Sequence, residues 1–121
     1  MGLRMGHVWV KVKIGDVNRR RIVDVEALTD TGATLTVIPR KLADDLGLEL
    51  TGRTVAETGA GKLELDRARV WIEVMGKGEV VPALISDIID KVLIGVTTLE
   101  VLGLQVDPIT GKLKEWTILL Y

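Results

Sequence analysis

Apolar and polar residues alternate along much of this chain, as they do in β-strands that bury one face. Between residues 8 and 14 the even positions are apolar, namely Val8, Val10, Val12 and Ile14. This period of two predicts a strand. A turn at residues 15–16 and an increasingly apolar segment over 17–28 follow, so the pattern predicts a hairpin of two strands.

The segment after residue 33 predicts a strand followed by a short helix. Residues 33–38 are mostly β-branched and apolar, and Pro39 is suited to the first turn of a helix, where its missing N–H costs nothing. Leu42 and Leu46 lie four residues apart on one face of that helix, and Gly47 is placed to end it.

A second hairpin is predicted over residues 54–65, with a tip made of Thr58, Gly59, Ala60 and Gly61. Glycines cost backbone entropy, so this tip should be mobile. Beyond it the apolar positions change from odd to even near Asp66, which predicts a bulge or bend there. Pro82 cannot donate to a strand ladder, so the strand over 80–85 is expected to have an edge or an irregularity at that residue.

The last third of the chain predicts one more apolar strand, a second short helix and an apolar tail. Residues 92–94 are apolar and end at Gly95; Thr97 or Thr98 would cap the following helix, and Gly103 would end it. After a turn at 108–111, residues 112–121 form an apolar tail. We expect it to dock on its own domain or, as the family resemblance described below implies, to form an interface strand.

Composition and charge argue against several classes of function. With 121 residues the chain fits a single domain over residues 1–121. Its apolar runs are shorter than the roughly 18 residues that a membrane-spanning helix needs. No secretory signal is evident, and we expect a cytoplasmic protein. The chain has no cysteine, one histidine and a net charge of −1. This argues against thiol chemistry, a Ser/His triad, a multi-histidine metal site and nucleic-acid binding.

One motif carries candidate chemistry: Asp30-Thr31-Gly32-Ala33, directly after an apolar strand. A bare Asp-Thr-Gly arises by chance in a chain of this length on the order of a few per cent of the time. An ordinary polar turn would also explain it. The motif resembles the active-site loop of aspartic proteases, in which two such loops meet and two carboxylates activate a water. Because it occurs once here, the resemblance implies a homodimer in which each chain supplies one Asp30.

The order of the predicted parts resembles the retropepsin-like aspartic proteases over most of the chain. Hairpin, Asp-Thr-Gly, glycine-tipped hairpin, Val92-Leu93-Ile94-Gly95, helix and last strand follow one another. The resemblance implies a mostly β fold, a closed β-barrel of the acid protease type with one or two short helices. It also implies a peptide substrate and neither metal nor organic cofactor.

The resemblance assigns roles to several residues. Asp30 would be catalytic, Thr31 would brace the two loops across the two-fold axis, and Gly32 and Ala33 would support the loop and face substrate backbone. Thr58, Gly59, Ala60 and Gly61 would form a flap over the cleft, and Leu93 would line an apolar pocket. The sequence departs from the family in having Thr34 and Val96 where an aspartate and an arginine are usual, so subsite preferences are not transferred.

The function expected on this basis is that of an aspartic endopeptidase. A non-catalytic module that uses the same fold for peptide binding or dimerisation is the alternative. A dyad within one chain, from Asp30 with Asp87 or Asp90, is less favoured, because neither lies in a comparable motif.

Overall fold

The protein is described from a computed structural model, which covers residues 7–116 and residue 120. Within these residues the chain forms nine strands and two short helices. In chain order they are β1 (His7–Gly15), β2 (Ile22–Asp30), β3 (Thr36–Pro39), α1 (Arg40–Leu46), β4 (Leu50–Thr58), β5 (Gly61–Val74), β6 (Lys77–Ser86), β7 (Val92–Ile94), α2 (Val96–Leu102), β8 (Leu104–Val106) and β9 (Leu113–Glu115). None of the helices in the described part of the chain is long and apolar enough to cross a membrane.

Six strands close into a mixed barrel. The order around it is β1, β2, β7, β3, β6 and β5. The barrel closes where residues 12–15 of β1 pair antiparallel with residues 71–74 of β5. β4 pairs with β5 and continues the sheet beyond the barrel. The predicted fold, mostly β with a closed barrel and short helices, is confirmed.

The core fills the barrel interior and extends under both helices. It includes Val12 and Ile14 of β1, Ile38 of β3, Ala43 and Leu46 of α1, Ala68, Val70, Ile72 and Val74 of β5, Val81, Ala83 and Ile85 of β6, Ile94 of β7, and Leu99 and Leu102 of α2. A fully buried aliphatic side chain contributes about 2 kcal/mol relative to exposure. The alternation that predicted β1 therefore reflects burial of one face, since Val12 and Ile14 are inside and Lys11 and Lys13 are exposed.

The Asp30 segment joins two strands that are not neighbours. β7 lies between β2 and β3: it pairs parallel with β2 through residues 92–94 and antiparallel with β3 at Val37 and Leu93. The loop from Thr31 to Leu35 must therefore cross the end of β7. This crossing places the loop against Gly95 and the start of α2.

Two predicted boundaries were wrong. β2 begins at Ile22 instead of residue 17, because residues 16–21 form an exposed loop in which the Arg21 N–H donates to Asp16 Oδ1 at 2.9 Å. β3 begins at Thr36 instead of residue 33. Pro39 ends β3 with an extended backbone and precedes the first turn of α1, which starts at Arg40.

The bulge or bend expected near Asp66 is found in the partner strand instead. β5 runs unbroken from Gly61 to Val74, and the register shift lies in β4 between Leu50 and Gly52, opposite Ala68 and Arg67. The change of parity in β5 has another cause. Its odd-numbered leucines, Leu63 and Leu65, line a surface cleft, whereas its even-numbered residues from 68 onward face the core.

Pro82 was expected to mark an edge or an irregularity of the sheet, and it lies just before β6 gains its second neighbouring strand. It is opposite Arg69 of β5, and the pairing of β6 with β3 begins one residue later, at Ala83. The missing N–H therefore falls before the second ladder starts.

Both helices end as predicted, but α2 does not begin as predicted. Gly47 and Gly103 adopt the left-handed conformation, with φ of 65° and 70°, and each caps the helix before it. The N-cap of α2 is Gly95, which makes no side-chain cap bond. Thr98 is buried and bonds elsewhere. The tail expected over residues 112–121 forms β9 (Leu113–Glu115). Residues 117–119 and 121 lie outside the described residues, so its role as an interface strand stays a prediction.

Candidate active site

Asp30 is the last residue of β2, and the residue before it anchors the strand end. Thr29 is fully buried, and its hydroxyl accepts the Val8 N–H at 2.8 Å and donates to the Val8 carbonyl oxygen at 3.0 Å. These two bonds fix the end of β2 to β1. Asp30 itself is half-buried. Its buried neighbour Thr29 therefore fixes the strand end while the Asp30 side chain remains partly accessible to solvent.

Backbone donors in the turn after Asp30 hold its carboxylate and its carbonyl oxygen. The Gly32 N–H donates to Asp30 Oδ1 at 2.9 Å, and the Ala33 N–H donates to the Asp30 carbonyl oxygen at 3.0 Å. A Cβ on Gly32 would lie 3.2 Å from Oδ1, a tight contact with the oxygen that this turn holds. The Asp-Thr-Gly sequence thus orients the carboxylate and leaves one side of it uncovered by a side chain at position 32.

The start of α2 supports the loop from beneath. The Val96 N–H donates to the Ala33 carbonyl oxygen at 2.8 Å. The Thr97 N–H donates to the Thr34 carbonyl oxygen at 3.0 Å. Because these bonds use backbone atoms, they do not need the aspartate and arginine that Thr34 and Val96 replace.

A buried hydroxyl pair completes this support. Thr36 Oγ1 and Thr98 Oγ1 are 2.6 Å apart, and the Gly95 N–H donates to Thr36 Oγ1 at 3.1 Å. Both threonines are almost fully buried. This pair was not predicted from the sequence, although threonines within apolar segments indicate buried hydroxyl groups that need a hydrogen-bond partner.

A cleft of about 730 Å³ opens beside Asp30. Its walls come from the Asp30 loop, β3, the β4–β5 hairpin, the end of β6 and the loop that follows β6. The lining residues are Asp30, Gly32, Ala33, Thr34, Leu35, Val37, Thr54, Val55, Ala56, Glu57, Thr58, Leu63, Leu65, Leu84, Ser86, Ile88 and Ile89. Most are apolar, and the two charged ones are both acidic. Such a cleft suits an extended, largely apolar ligand.

The structure brings some of the predicted site residues to this cleft. Asp30, Gly32, Ala33 and Thr58 line it. Thr31 is next to the cleft in sequence, and it is exposed in the single chain. Its bracing role stays a prediction.

The predicted tip of the second hairpin is a tight two-residue turn. The Thr58 hydroxyl accepts the Ala60 N–H at 3.1 Å and donates to the Gly61 carbonyl oxygen at 2.8 Å. Gly61 has φ of 115°, a value that other residues rarely adopt. Gly59, Ala60 and Gly61 are exposed beyond the residues that line the cleft. Their role as a flap stays a prediction.

Leu93 lies in β7, paired with Leu28 of β2 and with Val37 of β3. It is half-buried and is not one of the residues that line the cleft of a single chain. Its role in a pocket therefore also stays a prediction.

Sequence reasoning missed most of the apolar wall. Leu35, Val37, Leu84, Ile88 and Ile89 come together from separate parts of the chain. Ile88 and Ile89 are adjacent apolar residues between polar ones in the segment after β6, and Ile88 is 77% exposed. Long-range pairing, which local patterns do not reveal, assembles the others.

The carboxylates considered as partners of Asp30 within one chain have cationic neighbours of their own. Arg40 donates to both carboxylate oxygens of Asp87, at 2.8 and 3.3 Å, and these bonds lower the pKa of Asp87. The Asp90 carboxylate lies 3.7 Å from Lys91 Nζ. Both carboxylates are thus engaged by basic side chains, and neither residue lines the cleft beside Asp30. Within the described residues, no three His, Asp or Glu side chains are grouped as metal ligands.

Comparison with known proteins agrees with the chemistry of the loop. A family model for aspartyl proteases matches residues 10–110. A search of curated protein sequences gave no significant match.

Several solved structures share the fold. The EIAV protease in an inhibitor complex is 23% identical, with a TM-score of 0.66 over 80% of this chain and 88% of that chain. A retropepsin-like aspartic protease from Rickettsia conorii is 23% identical, with a TM-score of 0.59 over 87% and 79% of the two chains. The retroviral protease-like domain of Ddi1 from Leishmania major is 16% identical, with a TM-score of 0.62 over 95% and 88%. The predicted retropepsin-like fold is confirmed.

Proposed function

Since the chain belongs to the aspartyl protease family, we propose that it is an aspartic endopeptidase whose active site is completed by a second copy of the chain. The observation that carries this proposal is the placement of Asp30. Its carboxylate accepts the Gly32 N–H and faces a largely apolar cleft, whose volume is within the range of about 300–1,000 Å³ typical of ligand sites.

The need for a second copy follows from the count of catalytic loops. Asp-Thr-Gly occurs once in the sequence, and Asp87 and Asp90 each lie beside a basic side chain. Two identical loops can meet only about a two-fold axis, which makes the assembly a C2 dimer. Exposure of Thr31 in the single chain supports this arrangement, because a loop that packs against its twin must first be uncovered.

In the dimer, the two Asp30 carboxylates share one proton, since two like charges held close together cannot both remain ionised. The ionised Asp30 takes a proton from a water molecule, whose oxygen attacks the peptide carbonyl carbon. The protonated Asp30 of the other copy gives its proton to the carbonyl oxygen. Proton transfer to the amide nitrogen then allows the C–N bond to break, and no covalent enzyme intermediate forms.

The surrounding residues orient these groups. The Gly32 N–H fixes one carboxylate oxygen, so the orientation of the base is set before substrate arrives. The apolar walls, including Leu35, Leu63 and Ile89, would receive apolar side chains of an extended peptide and exclude bulk water.

The decisive test is Asp30→Asn. The change keeps the shape of the side chain and removes the base, so hydrolysis of an unfolded protein at acidic pH should fall by at least ~100-fold. Asp24→Asn is the matched control, because Asp24 lies exposed on the same strand in an ion pair with Lys13 at 3.0 Å. It should cleave at the parental rate.

Both variants are first compared with the parent by circular dichroism and gel filtration, to show that fold and assembly are retained. Parental activity in Asp30→Asn would overturn the proposal. If the parent binds peptides, lacks Asp30-dependent hydrolysis and is indifferent to a statine-type transition-state mimic, the chain is a binding module.

A further inference from the structure

Three segments that enclose the cleft meet at one guanidinium group. Arg40 is the first residue of α1 and directly follows β3, the strand that leaves the Asp30 loop. Its Nη2 donates to Asp66 Oδ2 at 2.7 Å, and its Nε donates to Asp87 Oδ1 at 2.8 Å. One side chain thus joins the segment behind Asp30 to β5 and to the loop after β6.

Asp66 lies at the root of the β4–β5 hairpin. On one side it is opposite Ile85 of β6, and on the other it is opposite Arg53 of β4. The next cleft-lining residues toward the tip of β5 are Leu65 and Leu63. Asp66 is thus the last residue of β5, toward the tip, that pairs with both neighbouring strands, and its bond with Arg40 anchors the root of the hairpin.

Asp87 belongs to the loop after β6, whose neighbouring residues form another wall of the cleft. It follows Ser86, whose buried hydroxyl oxygen accepts the N–H groups of Ile88 and Ile89 at 3.1 and 3.0 Å. Both isoleucines line the cleft. Asp87 lies inside this turn, between Ser86 and Ile88, so its bonds with Arg40 restrain the segment that carries the two apolar side chains.

The ion pair between Arg40 and Asp66 is better shielded from solvent than an ordinary surface pair. Arg40 engages two carboxylates through directed hydrogen bonds. The side chains of Arg40 and Asp66 are 32% and 19% exposed, whereas that of Asp87 is 66% exposed. Charge-assisted bonds with fixed donor geometry are stronger than neutral ones and are less screened by salt when partly buried. The two carboxylates also raise the pKa of Arg40 above its usual value.

We propose that Arg40 is a positioning residue for the cleft, which sets the separation between the hairpin and the 86–91 loop by holding Asp66 and Asp87 together. The residue does not touch the reacting atoms; it acts on substrate through the two walls. This inference rests on the proposed peptidase function.

The first test is Arg40→Gln, assayed with an apolar peptide substrate. Because the catalytic loop is unchanged, we expect KM to rise roughly threefold to tenfold while kcat changes less than about twofold. Arg40→Lys keeps the charge and loses the fork that reaches both carboxylates, so its KM should lie between those of parent and Arg40→Gln. Lys13→Gln, which breaks the exposed Lys13–Asp24 pair on the far hairpin, should leave KM unchanged.

A second measurement separates positioning from general loss of stability. Combined Asp66→Asn and Asp87→Asn should reproduce the KM of Arg40→Gln, and adding Arg40→Gln to that pair should change KM little further. A fall in kcat with no rise in KM in Arg40→Gln would overturn the positioning role. Fully additive effects of the three substitutions on KM would overturn it as well.

Amide hydrogen exchange tests the same inference without catalysis. In Arg40→Gln, exchange should quicken in residues 50–66 and 86–91 together and stay at the parental rate in β1 and β2. Unchanged amide exchange in both wall segments would overturn the positioning role of Arg40. If the parent lacks Asp30-dependent hydrolysis, the function proposal fails, while the exchange data still decide whether Arg40 holds the two walls.

Discussion

Among the described glycines, Gly95 leaves the least room for a side chain. A Cβ there would lie 2.3 Å from the carbonyl carbon of Leu35 and 2.5 Å from its carbonyl oxygen. Both are backbone atoms, so no rotamer change can relieve the clash. The glycine after the apolar strand therefore allows α2 to approach the Asp30 loop closely enough for the backbone bonds at Ala33 and Thr34.

Gly95→Ala should lower the free energy of unfolding by about 3 kcal/mol or more, because the loop or the helix must move apart. Urea denaturation at fixed protein concentration measures the loss. Gly59→Ala is the matched control, since its Cβ would meet nothing within 4 Å. It should change stability by less than about 1 kcal/mol. Equal stability of the two variants would contradict the close packing at Gly95.

At this scale the sequence predicted what local chemistry determines. Asp30 and Gly32 were found because the motif is contiguous and its turn is built from its own residues. Thr98 was misassigned as a helix cap, because a hydroxyl near a helix start has the same sequence pattern whether it caps the helix or is buried. Its partner, Thr36, is 62 residues away, and no local pattern links the two.

Among the elements, the contact between α2 and β3 decides how firmly the loop is held. The hydroxyl pair Thr36–Thr98 is its buried polar link, and Thr36 also accepts the Gly95 N–H. An apolar replacement of either residue leaves a buried group without its partner, which costs about 1–3 kcal/mol.

The two threonines should differ in a stated order. Thr98→Val removes one partner of Thr36, whereas Thr36→Val deprives both Thr98 and the Gly95 N–H. Thr36→Val should therefore lower the free energy of unfolding more than Thr98→Val, with the latter costing about 1 kcal/mol or more. Urea denaturation of both variants at one protein concentration tests the order. The reverse order would mean that the Gly95 bond contributes little.

Element prediction succeeded where burial alternates and failed where apolar residues serve another surface. β1 was read correctly because its inner face is uniformly apolar. Val17 was placed in a strand, yet it is 41% exposed in the loop before β2. Leu63 and Leu65 suggested a bulge because sequence parity does not distinguish a cleft from a core.

For the whole molecule, the proposed sharing of the active site makes a quantitative prediction about mixtures. Parent and Asp30→Asn chains are mixed one to one and allowed to exchange subunits. If each site needs both carboxylates, only dimers of two parent chains are active, so activity should fall to about a quarter of that of the same total amount of parent. Peptide hydrolysis after exchange, with assembly checked by gel filtration, provides the measurement. Activity near one half would mean that each chain carries a complete site.

The position of β7 between β2 and β3 has a consequence for the order of events during synthesis. Asp30 is synthesised before β7, the strand that separates the two sides of its loop and begins only at Val92. Pairings between such distant segments form slowly, because a long stretch of chain must first be restrained. A nascent or truncated chain that ends before β7 therefore has the residues of the Asp30 turn but lacks the contacts with β7 and α2 that support the loop. Under the proposed function, this topology ties assembly of the active site to the synthesis of β7 and α2.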